Sequence, residues 1–340
     1  MTRSLFPLFK LLNNAQRFVL KCMDFKQLIA FSILSNRAKT AIKELNLKID
    51  TLDIDYHDLL TIVVVHDNRF YSFEFVPEIK DNWERETAST KGYLKAAYFG
   101  ILRKEGYTMV NWTDHFRFVS NQDHMDGVHF YHSLNHSLDF QSLRKCLRNT
   151  RMVVFSKQFP HEIYYNVVKA CRPVDQILFE FSVGRMDGSH ALFLQNLTVL
   201  RFTGFIDPIQ ILKLDDLLVM NCKSISVKVS ILTGNDINRF LKLFIKGGNP
   251  RLQYTNFQFP RNHGPTANQI LKGVQHKVAD EDREQTSTYT NIDEENKACK
   301  VVATVKGGID LRRRNGQRAT IVFEENDGHV SKIIMYVWDL

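Results

Sequence analysis

In residues 6–45, apolar residues recur at the spacing of an α-helix in three successive short stretches, which predicts three helices. Positions three and four apart lie on one helix face, which in the first helix collects Ala15, Phe18, Val19, Cys22 and Met23. Asp24, with Gln27 three residues later, has the form of a capping box and predicts the start of the second helix. The third helix is predicted from its own apolar face, formed by Ala38, Ala41, Ile42 and Leu45.

Four leucines are left over once these faces are assigned: Leu8, Leu11, Leu20 and Leu28. A bundle of about 40 residues is too small to bury that many additional apolar side chains by itself. We therefore expect these leucines to meet either a partner protein or the rest of the chain.

The order and spacing of these positions resemble an F-box of the kind found in nematode families. The pattern is carried by Phe6-Pro7-Leu8, Leu11, Val19-Leu20, Met23-Asp24, Leu28, Leu34-Ser35 and Arg37. The resemblance implies that the segment docks the chain onto the Skp-type linker protein of a cullin–RING ubiquitin ligase. It also implies the residues that contact the linker: Pro7, Leu8, Leu11, Leu12, Val19, Leu20, Met23, Phe25 and Leu28.

The sequence departs from the F-box pattern at two helix starts. Leu12 stands where the family usually has proline at the start of the first helix, and Phe25 and Lys26 follow Asp24 where proline often opens the second. Each change removes a residue whose φ is preset for a helix start, which bears on the strength of docking. The alternative interpretation is a helical hairpin that packs only on its own domain.

Beyond the helices, residues 46–60 are predicted to be a connector. It leads into two strands, Leu59–Val65 and Phe70–Val76, with a turn at 66–68 between them. The apolar spacing over 93–102 predicts a helix that stops at Gly106.

Residues 111–138 are expected to form an irregular polar surface loop with five histidines: His115, His124, His129, His132 and His136. Imidazole is a common metal ligand. No pair has the H-E-x-x-H form and no cysteine is near, so we expect no metal site.

A repeating rhythm begins near residue 152. Strand-like runs start near Met152, Ile177, Leu197, Leu217 and Leu252, and the second to fourth of these starts are 20 residues apart. Helices are predicted between several of them, at His161–Cys171 and Asn235–Ile245. The spacing resembles leucine-rich repeats, in which strands stack with helices or loops outside. The core of such a stack would include Leu178, Leu200 and Leu218.

Part of the same region resembles the F-box-associated domain of type 2, a family that accompanies this kind of F-box in nematodes. The resemblance rests on Asn238–Lys242 and Gly247–Leu252, with Leu197–Cys222 as its earlier part. The two resemblances occur in the order expected for one adaptor protein.

The C-terminal region is predicted to begin with a flexible acidic loop at 261–298 and to return to strands at 299–340. Asn315-Gly316 is a two-residue hairpin signal, and strands are predicted at Ala319–Glu324 and Lys332–Trp338. The three arginines at 312–314 are expected to lie at a solvated hairpin edge.

The composition fits a globular protein of mixed α/β class, with 44% hydrophobic residues in a chain of 340. The pattern divides it into a helical F-box-like segment (1–48), an α+β connecting region (49–150), a repeat-like domain (151–260), the acidic loop (261–298) and C-terminal strands (299–340). No apolar run reaches the roughly 18 residues that span a bilayer. No signal peptide is recognised, and five scattered cysteines favour a reducing compartment. We therefore expect a protein of the cytoplasm or the nucleus.

Most of the net charge of +8 lies in residues 1–48, which hold nine Lys and Arg against two acids, a net charge of +7. Such a segment favours an acidic partner surface, either nucleic acid or the linker protein, which is acidic in the resembled family. A phosphate backbone offers no contact for Leu8, Leu11 and Leu20, so the linker is the favoured partner and nucleic acid is not.

No motif in the sequence points to catalysis. Phosphate-binding glycine loops, a nucleophile elbow and metal-ligand spacings are all missing, so we expect neither an enzyme nor a bound cofactor. The interpretation is a substrate-recognition subunit that binds the Skp-type linker, and through it a cullin, and holds an unknown target protein with its C-terminal domain. The alternatives are a scaffold protein with a degenerate F-box and a basic repeat protein that binds nucleic acid.

Overall fold

The predicted N-terminal helices are present in the structure, a computed structural model. It describes residues 8–57, 59–78, 91–96, 100–131, 140–157, 159, 161–180, 190–203, 212–228, 230, 232–260, 263–292 and 298–338. A short 3-10 turn, Leu8–Lys10, precedes three helices: α1 (Asn13–Lys21), α2 (Phe25–Ser32) and α3 (Asn36–Glu44).

Helices α2 and α3 begin where a side chain caps their first backbone N–H groups. The Gln27 N–H donates to Asp24 Oδ1 at 2.8 Å and the Asp24 N–H donates to Gln27 Oε1 at 3.0 Å, which confirms the capping box. Ser35 Oγ accepts the Ala38 N–H at 3.1 Å at the start of α3. Leu12 at the start of α1 makes no such bond, so α1 begins without a side-chain cap.

The chain divides into two units that are described separately. Unit 1 is Met1–Arg151 with Ala170–Pro173, and unit 2 is Met152–Lys169 with Val174–Leu340. The finer division predicted from the sequence, into five segments, stays a prediction.

Unit 1 combines the N-terminal helices with a sheet and two further helices. The strands are β1 (Ile49–Tyr56), β2 (Leu60–His66), β3 (Arg69–Pro77), β4 (Gly92–Ala96), β5 (Gly100–Leu102) and β6 (Met125–Phe130). The helices are α4 (Met109–Val119) and α5 (Phe140–Leu147). The strand order is β6-β1-β2-β3-β4-β5, with β1 parallel to β6 and all other neighbours antiparallel.

The predicted hairpin of β2 and β3 is confirmed. Its turn residues, Asp67 and Asn68, both have positive φ, 50° and 59°. Asn and Asp tolerate this left-handed conformation better than other side chains, and two-residue hairpin turns favour it.

Three other predictions for unit 1 are wrong. Residues 46–60 contain β1, residues 93–102 fall on β4 and β5 instead of a helix, and residues 111–138 contain most of α4 and all of β6. In β1, Leu52 and Ile54 are fully buried on one face, while the aspartates between them made the segment look like a polar connector.

The N-terminal helices share a core with the rest of unit 1. Helix α3 packs on α4, and the rings of Phe25 in α2 and Tyr71 in β3 lie 4.8 Å apart. Phe73 and Phe116 continue this core, with ring centroids 4.9 Å apart. The helices are therefore not a separate small bundle.

Unit 2 begins with five parallel strands that alternate with helices. The strands are β7 (Thr150–Phe155), β8 (Gln176–Phe179), β9 (Val199–Phe202), β10 (Ser224–Val227) and β11 (Tyr254–Gln258). Between them lie α6 (His161–Cys171), α7 (His190–Phe193), α8 (Leu214–Val219) and α9 (Gly234–Ile245). Each strand pairs in parallel with the next in one sheet.

Equivalent positions of these strands stack in buried rows, here called the strand ladder. One row is Val153, Ile177, Leu200 and Ile225, and the next is Phe155, Phe179, Phe202, Val227 and Phe257. The rings of Phe155, Phe179 and Phe202 stack with centroids 5.4 and 5.1 Å apart. This is the arrangement that a repeat needs to bury each unit against its neighbours.

The strand ladder corrects two details of the predicted repeat. Ile177, Leu200 and Ile225 are equivalent, so the spacing is 23 and then 25 residues instead of 20. Leu217 is buried in α8 and does not start a strand; the strand assigned to it is β10. Leu178 and Leu200 are buried as predicted, whereas Leu218 is only half-buried.

The remaining elements of unit 2 are one helix and six strands. They are α10 (Ala267–Leu271), β12 (Lys277–Val278), β13 (Glu284–Ile292), β14 (Ala298–Lys306), β15 (Ile309–Arg312), β16 (Arg318–Asn326) and β17 (His329–Val337). The antiparallel strands β17, β16, β15 and β12 extend the sheet beyond β11, in that order. The two predicted C-terminal strands are confirmed, and a hairpin does turn at Asn315-Gly316, but residues 313–317 connect its strands instead of the two residues predicted.

Arg313 was predicted at a solvated edge, but it is buried. Its guanidinium donates to the backbone carbonyls of Phe244, Gly248 and Asn249, and its Cζ lies 3.9 Å from the centre of the Phe244 ring. These carbonyls lie in the last turn of α9 and just beyond it, where a helix leaves backbone acceptors that its own N–H groups do not fully satisfy. Arg313 therefore secures the end of α9 to the C-terminal strands.

The predicted acidic loop at 261–298 is wrong for 284–292, because β13 and β14 pair along their whole length as a two-stranded sheet. This sheet lies on the strand ladder: Ile292 packs with Met152, Val154, Leu178 and Val199. Ser224 Oγ donates to Thr290 O at 2.6 Å, and the rings of Tyr254 and Tyr289 stack at 3.9 Å. The alternating inward residues, not the acids around them, determine this structure.

No helix in the described parts of the chain combines the length and the apolar composition that a membrane span requires.

Candidate functional site

Four of the residues proposed to contact the linker are buried inside unit 1. They are Leu8, Leu20, Phe25 and Leu28. The sequence left open whether the surplus leucines meet a partner protein or the rest of the chain. For Leu8, Leu20 and Leu28 the structure shows that the rest of the chain covers them. Pro7 lies outside the described residues.

Phe25 shows how this burial is achieved. Its ring contacts Tyr71 and His66 at centroid distances of 4.8 and 5.2 Å, and it shares an interior wall with Ile49, Val64 and Phe116. A fully buried aromatic side chain of this kind stabilises the fold by about 1.5–3 kcal/mol. Phe25 therefore joins the helices to the sheet.

Other apolar side chains of the helices remain in solvent and form what we call the exposed apolar set. Leu12 is 84% exposed, Phe18 71% and Leu34 73%. Leu11, Val19 and Met23 are half-buried beside them in sequence. The apolar face predicted for α1 is therefore only partly covered by this chain, and such residues mark candidate interaction surfaces.

The segment that precedes α1 is held in place by one arginine. Arg37 Nη2 donates to Phe9 O at 3.3 Å, and its Cζ lies 4.5 Å above the Phe9 ring. Phe9 also contacts Phe31 of α2 at 5.8 Å. Arg37, one of the positions that carry the F-box resemblance, thus fixes the approach to Leu11 and Leu12.

Two lysines of α3 cover an aromatic ring of α4. Lys39 Nζ lies 4.5 Å and Lys43 Nζ 4.3 Å from the centre of the Phe118 ring. Burial, together with the charge of Lys104, lowers the pKa of Lys39. Part of the positive charge counted in the sequence is thus used to attach α3 to α4.

His115 was predicted in a surface loop, but it is a buried link between α2 and α4. Ser32 Oγ donates to Ile29 O at 2.6 Å and accepts from His115 Nε2 at 2.7 Å, which places the imidazole proton on Nε2. Burial, assisted by Lys39 and Lys104, lowers the pKa of His115 to about 3. The ring is therefore neutral near pH 7 and has a structural role.

The described residues contain no cluster of three His, Cys, Asp or Glu side chains that could hold a metal ion, and no disulfide joins their cysteines. His132 and His136 lie outside the described residues. Cys22, predicted to face the core, is exposed, whereas burial raises the pKa of Cys146 and Cys222 to about 12.

In unit 2, the face of the strand ladder opposite its Phe row is covered by the β13–β14 sheet. Arg201 donates to Ile292 O there, and Tyr254, Tyr289 and Tyr336 pack together. The outer face of β13–β14 alternates exposed Thr286 and Thr288 with the cross-strand partners Thr304 and Val302. No target-binding surface was predicted from the sequence, and this outer face is one that the fold leaves exposed.

Comparisons with known proteins agree with both resemblances. The family model of the F-box domain matches residues 8–50, and that of the F-box associated domain matches residues 189–257. The F-box associated domain-containing protein sdz-33 of Caenorhabditis elegans is similar, with 23% identity over 257 residues that cover 73% of this chain and 76% of that protein. No solved structure matches the chain significantly.

The matched regions correspond to definite parts of the fold. The F-box match covers α1–α3 and the start of β1, and the F-box associated match runs from α7 to β11 of the strand ladder. The chain thus carries an F-box domain in unit 1 and an F-box associated domain in unit 2.

Proposed function

We propose that this chain, which carries an F-box domain followed by an F-box associated domain, is a substrate-recognition subunit of a Skp–cullin–F-box ubiquitin ligase. F-box domains in general bind a Skp-type linker, and both families are typically non-enzymatic adaptors. In this proposal, unit 1 binds the linker and through it a cullin, and unit 2 holds a target protein. The ligase partners perform the chemistry, in the cytoplasm or the nucleus.

The observation that carries the proposal is the exposed apolar set on helices that the F-box match covers. Leu12, Phe18 and Leu34 gain nothing from the fold of this chain, and burying each in an interface would contribute about 1.5–3 kcal/mol. We propose that they form the linker contact together with Leu11, Val19 and Met23.

The buried positions then have a different part in docking. Leu8, Leu20, Phe25 and Leu28 hold the helices in place, so that substituting them would disturb docking through folding and not through lost contacts. A charge at Leu20 would be buried without a partner and would unfold the helices.

Charge supports the same partner. The F-box segment carries a net charge of +7, and an acidic linker surface would be attracted to it over about 10 Å at 0.1 M salt. Exposed leucine and phenylalanine side chains in the same segment favour a protein over nucleic acid.

Co-purification tests the proposal. The tagged full chain, expressed with the proteasome blocked, should recover the Skp-type linker and a cullin in stoichiometric amounts. Recovery of neither, with the chain folded, would indicate a scaffold protein with a degenerate F-box. Retention on nucleic acid that is lost as salt is raised would favour a nucleic-acid-binding protein instead.

For unit 2, we propose that target contacts include the outer face of β13–β14. Its support is that this face is exposed while both faces of the strand ladder beneath are covered. Crosslinking from cysteine placed at Thr288 should capture a target protein, with cysteine at Arg172, an exposed position of unit 1, as the control. Equal capture at both positions would refute this placement.

A further inference from the structure

A cleft of about 440 Å³ lies in unit 1, among the end of α1, the start of α2, the α3–β1 connection and the β2–β3 turn. Its exposed lining includes three cationic side chains, Lys21, Lys48 and Arg69, one from each of three separate chain segments. We call it the basic cleft. A volume of this size lies within the range of small-molecule sites, about 300–1,000 Å³.

The interior of the basic cleft is apolar and partly aromatic. Phe25, Leu28 and Leu45 are buried beneath it, and Tyr71 lies half-buried at its side. The rings of Phe25 and Tyr71 lie 4.8 Å apart and are tilted by 46°, and of the two only the half-buried Tyr71 ring reaches the cleft surface. A ligand with a flat apolar body would find contact there.

In the described part of the chain, none of the three cations forms an ion pair. No described carboxylate lies within ion-pair distance of Lys21, Lys48 or Arg69, whereas the exposed Arg103 and Lys306 have such partners, at 3.6 and 2.6 Å. Three cations against the two carboxylates of Asp24 and Asp67 leave the lining with a net positive charge, which favours a bound anion.

The two carboxylates that line the cleft are already engaged. Asp24 Oδ1 accepts the Gln27 N–H at 2.8 Å as the cap of α2. The Asp67 carboxylate lies 3.6 Å from His66 Nε2 and is mostly exposed. His66 Nδ1 donates to Lys48 O at 2.7 Å. This hydrogen bond joins the end of β2 to the α3–β1 connection and so holds two walls of the cleft together.

We propose that the basic cleft binds a small organic anion that joins an aromatic body to a phosphate group. Arg69 offers the planar donor fork that phosphate accepts, and Lys21 and Lys48 add charge around it. A phosphate offers three acceptor oxygens to donors from three chain segments, where a carboxylate offers two. The aromatic body would lie against Tyr71.

This proposal does not rest on the proposed ligase function. The test is made with the purified full chain alone, so its outcome does not depend on whether the linker docks. Variants of the exposed apolar set, such as Phe18→Asp, should bind the probe like the natural chain.

The probe is 1-naphthyl phosphate, followed by isothermal titration calorimetry. We expect 1:1 binding that is at least about 10-fold tighter than that of inorganic phosphate or of neutral 1-naphthol. Inorganic phosphate lacks the aromatic body, and 1-naphthol lacks the phosphate group. Binding should weaken as salt is raised from 0.05 to 0.5 M, as for a charge contact near solvent.

Matched variants locate the site. The double variant Lys48→Gln/Arg69→Gln should weaken 1-naphthyl phosphate binding at least about 10-fold. The control Lys95→Gln/Arg103→Gln removes one lysine and one arginine elsewhere in unit 1 and should leave it unchanged. Thermal unfolding at the same midpoint in both variants shows that the fold is retained.

Several results would overturn the proposal. Equal affinity in the two double variants would place binding outside the cleft, and equal affinity for 1-naphthol would reduce it to apolar contact. 1-Naphthoate binding as tightly as 1-naphthyl phosphate would refute the phosphate assignment. An acidic peptide, Glu-Glu-Leu-Glu-Glu, binding more tightly than either would show that the occupant is a protein segment.

Discussion

The F-box helices and the strand ladder differ in how completely the chain covers its own apolar side chains. In the strand ladder every position of β8 and β10 is buried, between helices on one side and β13–β14 on the other. The F-box helices bury Leu20 and Phe25 but leave Leu12, Phe18 and Leu34 in solvent. One region is thus a closed scaffold, and the other is a surface that lacks a partner.

This difference separates stability from binding. Substitutions in the strand ladder should act on folding and leave docking intact in whatever fraction stays folded. Substitutions in the exposed apolar set should do the opposite, because those side chains make few contacts to lose. Each of the following experiments tests one side of this contrast.

The largest effect on stability is expected at Leu200. Leu200→Ala removes a fully buried side chain from the row that includes Ile177 and Ile225, and should lower the free energy of unfolding by about 2–5 kcal/mol. Leu218→Ala, at a half-buried position of α8, is the control and should cost about 1 kcal/mol. Urea unfolding measures both, and equal losses would contradict the strand ladder as the main core of unit 2.

The next effect depends on pH and arises at His115. Its pKa falls from an ordinary value near 6.5 to about 3 on folding, so the unfolded chain binds a proton between these values while the folded chain does not. The stability that this neutral ring provides is complete above about pH 6.5 and is lost as pH falls toward 3. The loss should reach about 2 kcal/mol at pH 5.

His115→Gln tests this prediction, since glutamine can still donate to Ser32 Oγ but does not titrate. Unfolding free energies at pH 7 and pH 5 should differ less in this variant than in the natural chain. His66→Gln provides a control at a half-buried histidine of the same unit. The same pH dependence in His115→Gln and the natural chain would contradict a buried neutral ring.

Sequence patterns predicted the elements whose signals are local. The capping box at Asp24, the turn at Asp67-Asn68 and the apolar face of α9 all involve neighbours within a few residues, and all three are present. The resemblance to the F-box associated domain rests on Asn238–Lys242 in α9 and on Gly247–Leu252 after it, with Leu197–Cys222 as its earlier part, and it is confirmed by the match over 189–257.

Elements that depend on distant contacts were missed. The apolar residues of 93–102 have helical spacing, but β3 pairs with β4 and the segment becomes a strand. A signal for α4 was available, because Thr108 and Asn111 form a capping box ahead of Trp112 and Phe116. The prediction for this segment was based on its five histidines and not on the capping box.

The docking residues could be predicted only in part, for the same reason. The sequence shows that the helices carry more apolar residues than they can hide, but not which of them the sheet covers. Leu20 and Leu12 have the same chemistry, yet one is buried and the other is the most exposed of the large apolar side chains described. The difference depends on which other parts of the chain pack against each side chain, and the sequence of α1 does not contain that information.

The smallest effect is expected at Leu12, where the F-box pattern has proline. Leu12 has φ of −60°, which proline adopts without strain, so Leu12→Pro should stabilise unit 1 by about 0.4–1 kcal/mol through the unfolded chain. The change also removes an exposed apolar contact, so linker affinity should change by less than about 5-fold. Titration calorimetry decides it: linker binding that is absent in the natural chain and rescued by Leu12→Pro would identify a degenerate F-box.

The most direct test of the central claim compares two exposed phenylalanines of unit 1, Phe18 in the exposed apolar set and Phe70 near the start of β3, which are 71% and 79% exposed. Linker affinity is measured for Phe18→Asp and Phe70→Asp after confirming equal unfolding midpoints. We predict that Phe18→Asp weakens linker binding at least about 10-fold while Phe70→Asp changes it less than about 2-fold. Unchanged affinity in Phe18→Asp, or equal losses in both variants, would contradict docking through the exposed apolar set.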